Sequence, residues 1–380
     1  MAQQEMAQGL PRTMALVEEG LAAGVHIGAQ VYVSLRGRAV VDTATGLARP
    51  APGEAAMTPE TLMVWLSAGK PLTAVAIGRL VDAGRLSFDD PVVKHIPEFA
   101  PHGKDAITIR HLLTHTAGLR TIHTDWPRAG WEETMATLCG AAMEKDWPPG
   151  AKAGYHAFTS WYVLGEIVRR VDGRPIETYL RSEVFAPLGM NESSLTLSRE
   201  EYAELQPRMG DLQRIIAVGG GAKPRMESMN LDTFAAAHNP RPAGGVRGPI
   251  RELGMFYEAM LRALKGDGSV PTALAQSTAR MMTSRARPTM FDETFKATVE
   301  WGLGFQLNSE KVTPNAPYNF GPHASPATFG HGGFQASVGM GDPEKELVVA
   351  AIFNGCPGEA KHLGRIRRFF TVLYEELGLA

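Results

Sequence analysis

The segments of this chain that read as strands lie near its two ends. AQVYVSLRGRAVVDTATG (29–46) reads as two strands around a tight turn at Arg36-Gly37. At the other end, FQASVGMGD (334–342) and ELVVAAIFNG (346–355) are alternating or continuous apolar runs of strand length. Helical spacing dominates between them. Leu72, Val75, Ala76 and Leu80 recur on one face from Ser67 to about Asp82. ITIRHLLTHTAGL (107–119) and FTSWYVLGEIVRRVDG (158–173) read as helices closed by glycine, and IRELGMFYEAMLRALKG as a further one. Residues 200–250, rich in Gly, Pro and Arg, read as loops. Strands bury their faces only with partners, so both ends most simply share one antiparallel sheet. The expected fold class is α+β. A sheet lobe (1–66 plus 235–380) is flanked by an amphipathic N-terminal helix and a last helix, AKHLGRIRRFFTVLYEELG. A mainly helical lobe with loops (67–234) is inserted to complete one catalytic unit, and a ligand would bind in the cleft between the lobes.

Composition narrows the function. The 380 residues are 44% hydrophobic and 21% charged with net charge −2, so neither nucleic acid nor an anionic membrane is an expected partner. No apolar run approaches a membrane span. MAQQEMAQGLPRTMALVEEGL lacks a basic stretch followed by an apolar one, so the expected location is cytoplasmic. Cys139 and Cys356 are too few for a disulfide framework and read as reduced thiols. His111 and His115 stand four apart but lack a third ligand, so no metal is expected. No phosphate-binding or dinucleotide-binding glycine motif is present, and no cofactor is expected.

VWLSAGKPLTA places Ser67 three residues before Lys70. With fifteen serines and eleven lysines, chance supplies such a match roughly 0.4 times, so it needs support. Ser67 also suits a plain helix cap. Its setting favours chemistry, because Ser67 follows an apolar stretch and opens a helix whose first turn tolerates Pro71. Residues three apart share a helix face, so the Lys70 amine can reach the Ser67 hydroxyl. Burial would make a neutral amine available as a base, and the Ser67 N–H could stabilise an oxyanion. In PPGAKAGYHAFTSW, Tyr155 sits on a loop from which its phenol could relay a proton. In FGHGGFQASVG, Gly332 and Gly333 after His331 let a substrate approach a strand edge, with the Phe334 N–H as second oxyanion donor. His156, beside Tyr155, is a candidate substrate contact, and Trp301, opening WGLGF, a candidate cavity wall. Trp126, Trp131 and Trp161 read as core or rim packing.

The order of these elements, with HLLTHTAGL, VFAPLGM, PAGGVRGPIRELGMFYEAML and WGLGFQL between them, resembles the serine β-lactamase-like superfamily over most of the chain. That group spans class C β-lactamases, D,D-peptidases, D-aminopeptidases, family VIII carboxylesterases and acyltransferases. The resemblance implies a β-lactamase/transpeptidase-like fold. It also implies that Ser67 becomes acylated, that Lys70 is the general base or assists one, and that Tyr155 transfers protons to the leaving group and from the deacylating water. His331-Gly332-Gly333 stands at the group's Lys-Thr-Gly position.

Two departures point away from β-lactams. His156-Ala157 follows Tyr155 where the lactamase pattern expects an Asn two residues on, and His331 replaces a fixed lysine cation. The expected function is a serine hydrolase of small carboxylic esters or amides, whose partner is a small-molecule acyl substrate. The alternatives are an acyltransferase using the same acyl-enzyme, a β-lactamase or D-peptidase, and a non-catalytic binding protein on the same fold. Acyl group, stereochemistry, oligomeric state and the charge of His331 stay open at this level.

Overall fold

The computed structural model describes residues 9–216, 224–269 and 271–380. Seven strands form the main sheet: β1 (Gly28–Leu35), β2 (Arg38–Arg49), β3 (Ala55–Ala56), β4 (Gln306–Leu307), β5 (Phe329–Gly333), β6 (Ser337–Asp342) and β7 (Leu347–Phe353). Their order is β4-β5-β6-β7-β1-β2-β3, with every neighbouring pair antiparallel. The two ends of the chain therefore meet at the centre of the sheet, where Val31 lies opposite Ala351 and Val33 opposite Val349. The β1–β2 turn uses Arg36 (φ 54°) and Gly37 (φ 74°), the left-handed pair that a tight hairpin with right-handed strand twist demands.

The continuous apolar run of β7 follows from cover on both faces. Ala29, Val31, Val33, Val349, Ala351 and Phe353 share one cluster with Val17 of α1 (Pro11–Ala22) and Phe369, Phe370 and Leu373 of α5 (Glu359–Glu376). Tyr32, Val348, Ala350 and Ile352 point the other way and join Leu253 and Tyr257 of α4 (Ile250–Lys265). That second cluster runs on into the helices of the middle of the chain, α2 (Lys70–Asp82) and α3 (Thr159–Asp172). Helix α2 is buried at every position from Lys70 to Gly78, which makes it the central helix of the molecule.

Several boundaries differ from the sequence reading. FQASVGMGD is no single strand: Phe334, Gln335 and Ala336 form the turn between β5 and β6, with Gln335 at φ 47°. Its apolar alternation runs unbroken through the turn, so periodicity could not show it. The helix read over 107–119 stops at Leu113, and His115 turns left-handed at φ 58°. Trp301 contributes only an isolated bridge to Gln306. Within 200–250, expected as loops, helices form at Arg199–Leu205 and Phe234–His238 and strands at Gln213–Ile216 and Arg225–Ser228. Gln213–Ile216 pairs in parallel with Gly355–Cys356, so this part of the middle segment sits beside the C-terminal strands. Among the described residues, no helix is long and apolar enough to cross a membrane.

Candidate active site

The turn that carries Ser67 is built from both halves of the chain. Met63–Val64 pairs with Arg247–Gly248, and the Trp65 indole donates to Gly248 O at 3.0 Å. The chain then reverses through Leu66 (φ 54°), a left-handed conformation costing on the order of 1–3 kcal/mol for a residue with a Cβ, and enters a short 3₁₀ turn. This turn precedes α2, so Ser67 lies just outside the α-helix while Lys70 is its first residue. Strand β5 docks directly on the turn. A Cβ on Gly333 would sit 2.6 Å from Trp65 O, and one on Gly332 would sit 2.4 Å from the Tyr318 ring. The two glycines, read from the sequence as room for substrate, make room for protein atoms. The strand edge itself is open beyond Gly330, where the pairing with β4 ends.

Lys70 is fully buried, and its amine has three oxygen neighbours: Ser67 Oγ at 2.9 Å, Ala157 O at 2.8 Å and Ala243 O at 2.7 Å. Burial, and then the positive charge of Arg241, holds its pKa well below the ordinary lysine range. Carbonyls can only accept. A neutral amine would therefore give its two N–H bonds to Ala157 and Ala243 and keep its lone pair for the Ser67 hydroxyl. The Tyr155 ring centroid lies 5.3 Å from Nζ. Burial raises the phenol's pKa, and its contact with the Ser67 side chain offsets part of that rise. Tyr155, far from them in sequence, thus shares one location with Ser67 and Lys70.

Tyr155 is held by a residue that no motif announced. Asp292 Oδ1 accepts from Tyr155 N, Thr294 N and Phe295 N, each at 3.0 Å. Its Oδ2 lies 3.4 Å from the Arg287 guanidinium, and both side chains are buried. Arg287 also donates to Thr114 O at 2.7 Å and Val299 O at 2.9 Å. Phe295 stacks on the Tyr155 ring at 4.8 Å between centroids.

His331, Gly332 and Phe334 line a cavity of about 610 Å³ together with Ser67, Tyr155, Arg241, Tyr318 and several apolar side chains. His331 Nδ1 is 2.7 Å from Gly332 O, which places the proton on Nδ1. His156 and Trp301, candidates for substrate contact, lie behind this wall. His156 is fully buried, its Nε2 accepting from Leu119 N at 2.8 Å and its own N–H donating to His115 Nδ1 at 3.0 Å. Trp301, also fully buried, lies 6.0 Å from the Tyr155 ring and 5.5 Å from that of His331, and supports both from behind. Neither lines the cavity: Trp301 packs behind Tyr155 and His331, and the His156 ring packs on that of His115 at 5.8 Å.

Burial holds three histidines neutral. His26, His156 and His331 are 1%, 0% and 2% exposed, and burial, as the leading cause, lowers each pKa to about 3. The unfolded chain takes up these protons below about pH 6.5, while the folded one refuses them until about pH 3. Stability thus rises with pH across that window, each ring approaching about 1.4 kcal/mol per pH unit. The urea midpoint should fall markedly from pH 7 to pH 5, the three rings outweighing Asp211, whose carboxyl burial raises to about 6 and whose protonation works the other way. Equal midpoints, or folded-state ring resonances titrating near pH 6.5, would contradict this.

Similarity to known proteins accords with this geometry. LipL, an esterase/beta-lactamase of Mycobacterium tuberculosis, is 28% identical over 351 residues, covering 86% of this chain and 77% of LipL. The esterase EstB of Burkholderia gladioli is 29% identical over 298 residues, covering 71% of this chain and 74% of EstB. Among solved structures, a penicillin-binding protein homologue from Caulobacter crescentus superposes with a TM-score of 0.76 at 28% identity, covering 97% of both chains. The family model described as Beta-lactamase matches residues 14–371, and the chain belongs to that family.

Proposed function

We propose that this protein is a serine hydrolase of small carboxylic esters or amides that works through an acyl-enzyme on Ser67. The observation that carries this reading is the seat of Lys70, whose two carbonyl partners leave the lone pair of a neutral amine for the Ser67 hydroxyl. In the proposed cycle, Lys70 takes the Ser67 proton as Oγ bonds to the substrate carbonyl carbon. The N–H groups of Ser67 and Phe334 face the developing oxyanion. Tyr155 gives its proton to the departing oxygen or nitrogen as that bond breaks, and the Lys70 ammonium reprotonates the phenol. Water then attacks the acyl group by the reverse relay and frees Ser67. The names of LipL and EstB support ester substrates. The neutral state of His331, held chiefly by burial, removes the strand-edge cation expected for a β-lactam carboxylate.

Intact mass measured during turnover of a short-chain aryl ester should show one acyl group added. Peptide mapping should place it on Ser67, and Ser67→Ala should show no adduct. An adduct elsewhere, or none with esters or activated amides, would refute the proposal.

A further inference from the structure

Arg241 enters the cavity from the loop that also supplies Ala243 O to Lys70. Its guanidinium is clasped between two aromatic faces, 4.4 Å from the Trp126 ring centroid and 4.5 Å from that of Phe158. The clasp is anchored, since the Trp126 indole donates to Asn239 O at 3.2 Å and the Asn239 amide donates to Pro127 O at 2.7 Å. Ring faces stabilise a cation but cannot satisfy the N–H groups on its edge.

Two other arginines have the terminal groups of their forks engaged. Arg287 faces Asp292 and two carbonyls, and Arg365 donates to Gln335 O at 3.0 Å and Gly355 O at 3.2 Å. Arg241 meets no carboxylate and no hydrogen-bond acceptor among the described residues, and no lysine or other arginine lines the cavity with it. The cavity's own carboxylate, Glu359, is engaged elsewhere, by the Tyr318 hydroxyl at 2.9 Å and Gln335 Nε2 at 3.2 Å. The guanidinium is partly covered and has no counter-charge beside it, and it stands close enough to Lys70 to lower that group's proton affinity. A ligand carboxylate would supply the missing charge and match the planar fork of donors.

We infer that Arg241 is the receptor for an anionic group, and that the substrate is an ester or amide carrying a carboxylate. This rests on the reading of Ser67 as the acylated residue, whereas the anion site stands on Arg241 alone.

The test compares paired esters. The para-nitrophenyl ester of glutaric acid, with its second carboxylate free, is set against para-nitrophenyl valerate. To place the charge on the leaving side, meta-carboxyphenyl butyrate is set against meta-carbamoylphenyl butyrate. Glutarate binding is measured by calorimetry in Ser67→Ala, with and without Arg241→Gln. We expect kcat/KM to favour the charged ester at least about tenfold in one placement, and the ratio to fall towards one in Arg241→Gln. A ratio taken within each variant is insensitive to the amount of folded enzyme. Glutarate affinity should drop by a similar factor when Arg241 is lost. Turnover without charge preference in either placement, or a preference that survives Arg241→Gln, would overturn the inference while leaving the acyl-enzyme intact. Glutarate binding that depends on Arg241 in a protein that turns over no ester would keep the anion site and remove the acyl-enzyme. Glutarate binding indifferent to Arg241 in such a protein would remove both.

Discussion

Lys70→Met should lower kcat for ester hydrolysis by about 10²–10⁴-fold, the usual span for losing a positioned proton acceptor. The methionine has similar length and fills the same buried site but carries no titratable proton. Ser67 would keep its place on the turn fixed by Trp65 and Gly333. The pH profile separates loss of a base from general damage. The amine is active when neutral, and burial and Arg241 both lower its pKa. Wild-type kcat/KM should therefore rise with pH through that depressed pKa and level off above it, and Lys70→Met should lack this limb. The two carbonyls lose their donor, at roughly 1–3 kcal/mol for each group left unpaired, while the cost of burying an ammonium disappears. A near-normal rate, or an unchanged acid limb, would show that Lys70 is not the base.

Asp292→Ala should have the largest effect on stability, about 3–5 kcal/mol, because it strands the buried Arg287 charge. It also frees the peptide N–H groups of Tyr155, Thr294 and Phe295, which one carboxylate oxygen now gathers. Asp292 touches no reacting atom and acts through Tyr155. A displacement of the phenol by about 1 Å is enough to lower kcat about 10²-fold. Asp292→Asn keeps an acceptor for the three N–H groups and loses only the charge. It should recover more of kcat than of stability, whereas a purely structural role would move both in proportion. Chemical denaturation and steady-state kinetics on the two variants check this, and a wild-type kcat in Asp292→Ala would contradict it.

The contrast between Ser67 and Asp292 shows what a sequence can display. Ser67 and Lys70 are three residues apart on one turn, so local geometry brings them within 2.9 Å, and their spacing, supported by the downstream elements, points to the pair. Tyr155 was legible because a Pro-Gly stretch and a helix start frame it. Asp292 meets Tyr155 across 137 positions, in a stretch without periodicity or motif, and only the tertiary fold joins them. Arg241 was equally silent, since an arginine among prolines and glycines reads as a surface loop. The helix at Arg199–Leu205 did carry a local signal. Ser198 and Glu201 form a capping box whose reciprocal bonds run at 2.8 and 3.1 Å, and the Gly-rich composition of the region outweighed it. His156 misled for another reason: adjacency to Tyr155 says nothing about direction, and successive side chains of an extended loop point opposite ways.

The order of the sheet has a consequence for how this protein comes into being. The turn that carries Ser67 is made early in the chain, yet it is braced by Gly333 and by the Ser337 hydroxyl bonded to Trp65 O, some 270 positions later. β1 likewise waits for β7, the strand it pairs with at the centre of the sheet. Contacts of such separation close slowly and late. During synthesis Ser67 therefore sits on an unbraced turn until the last strands emerge, and the turn takes its final form only then.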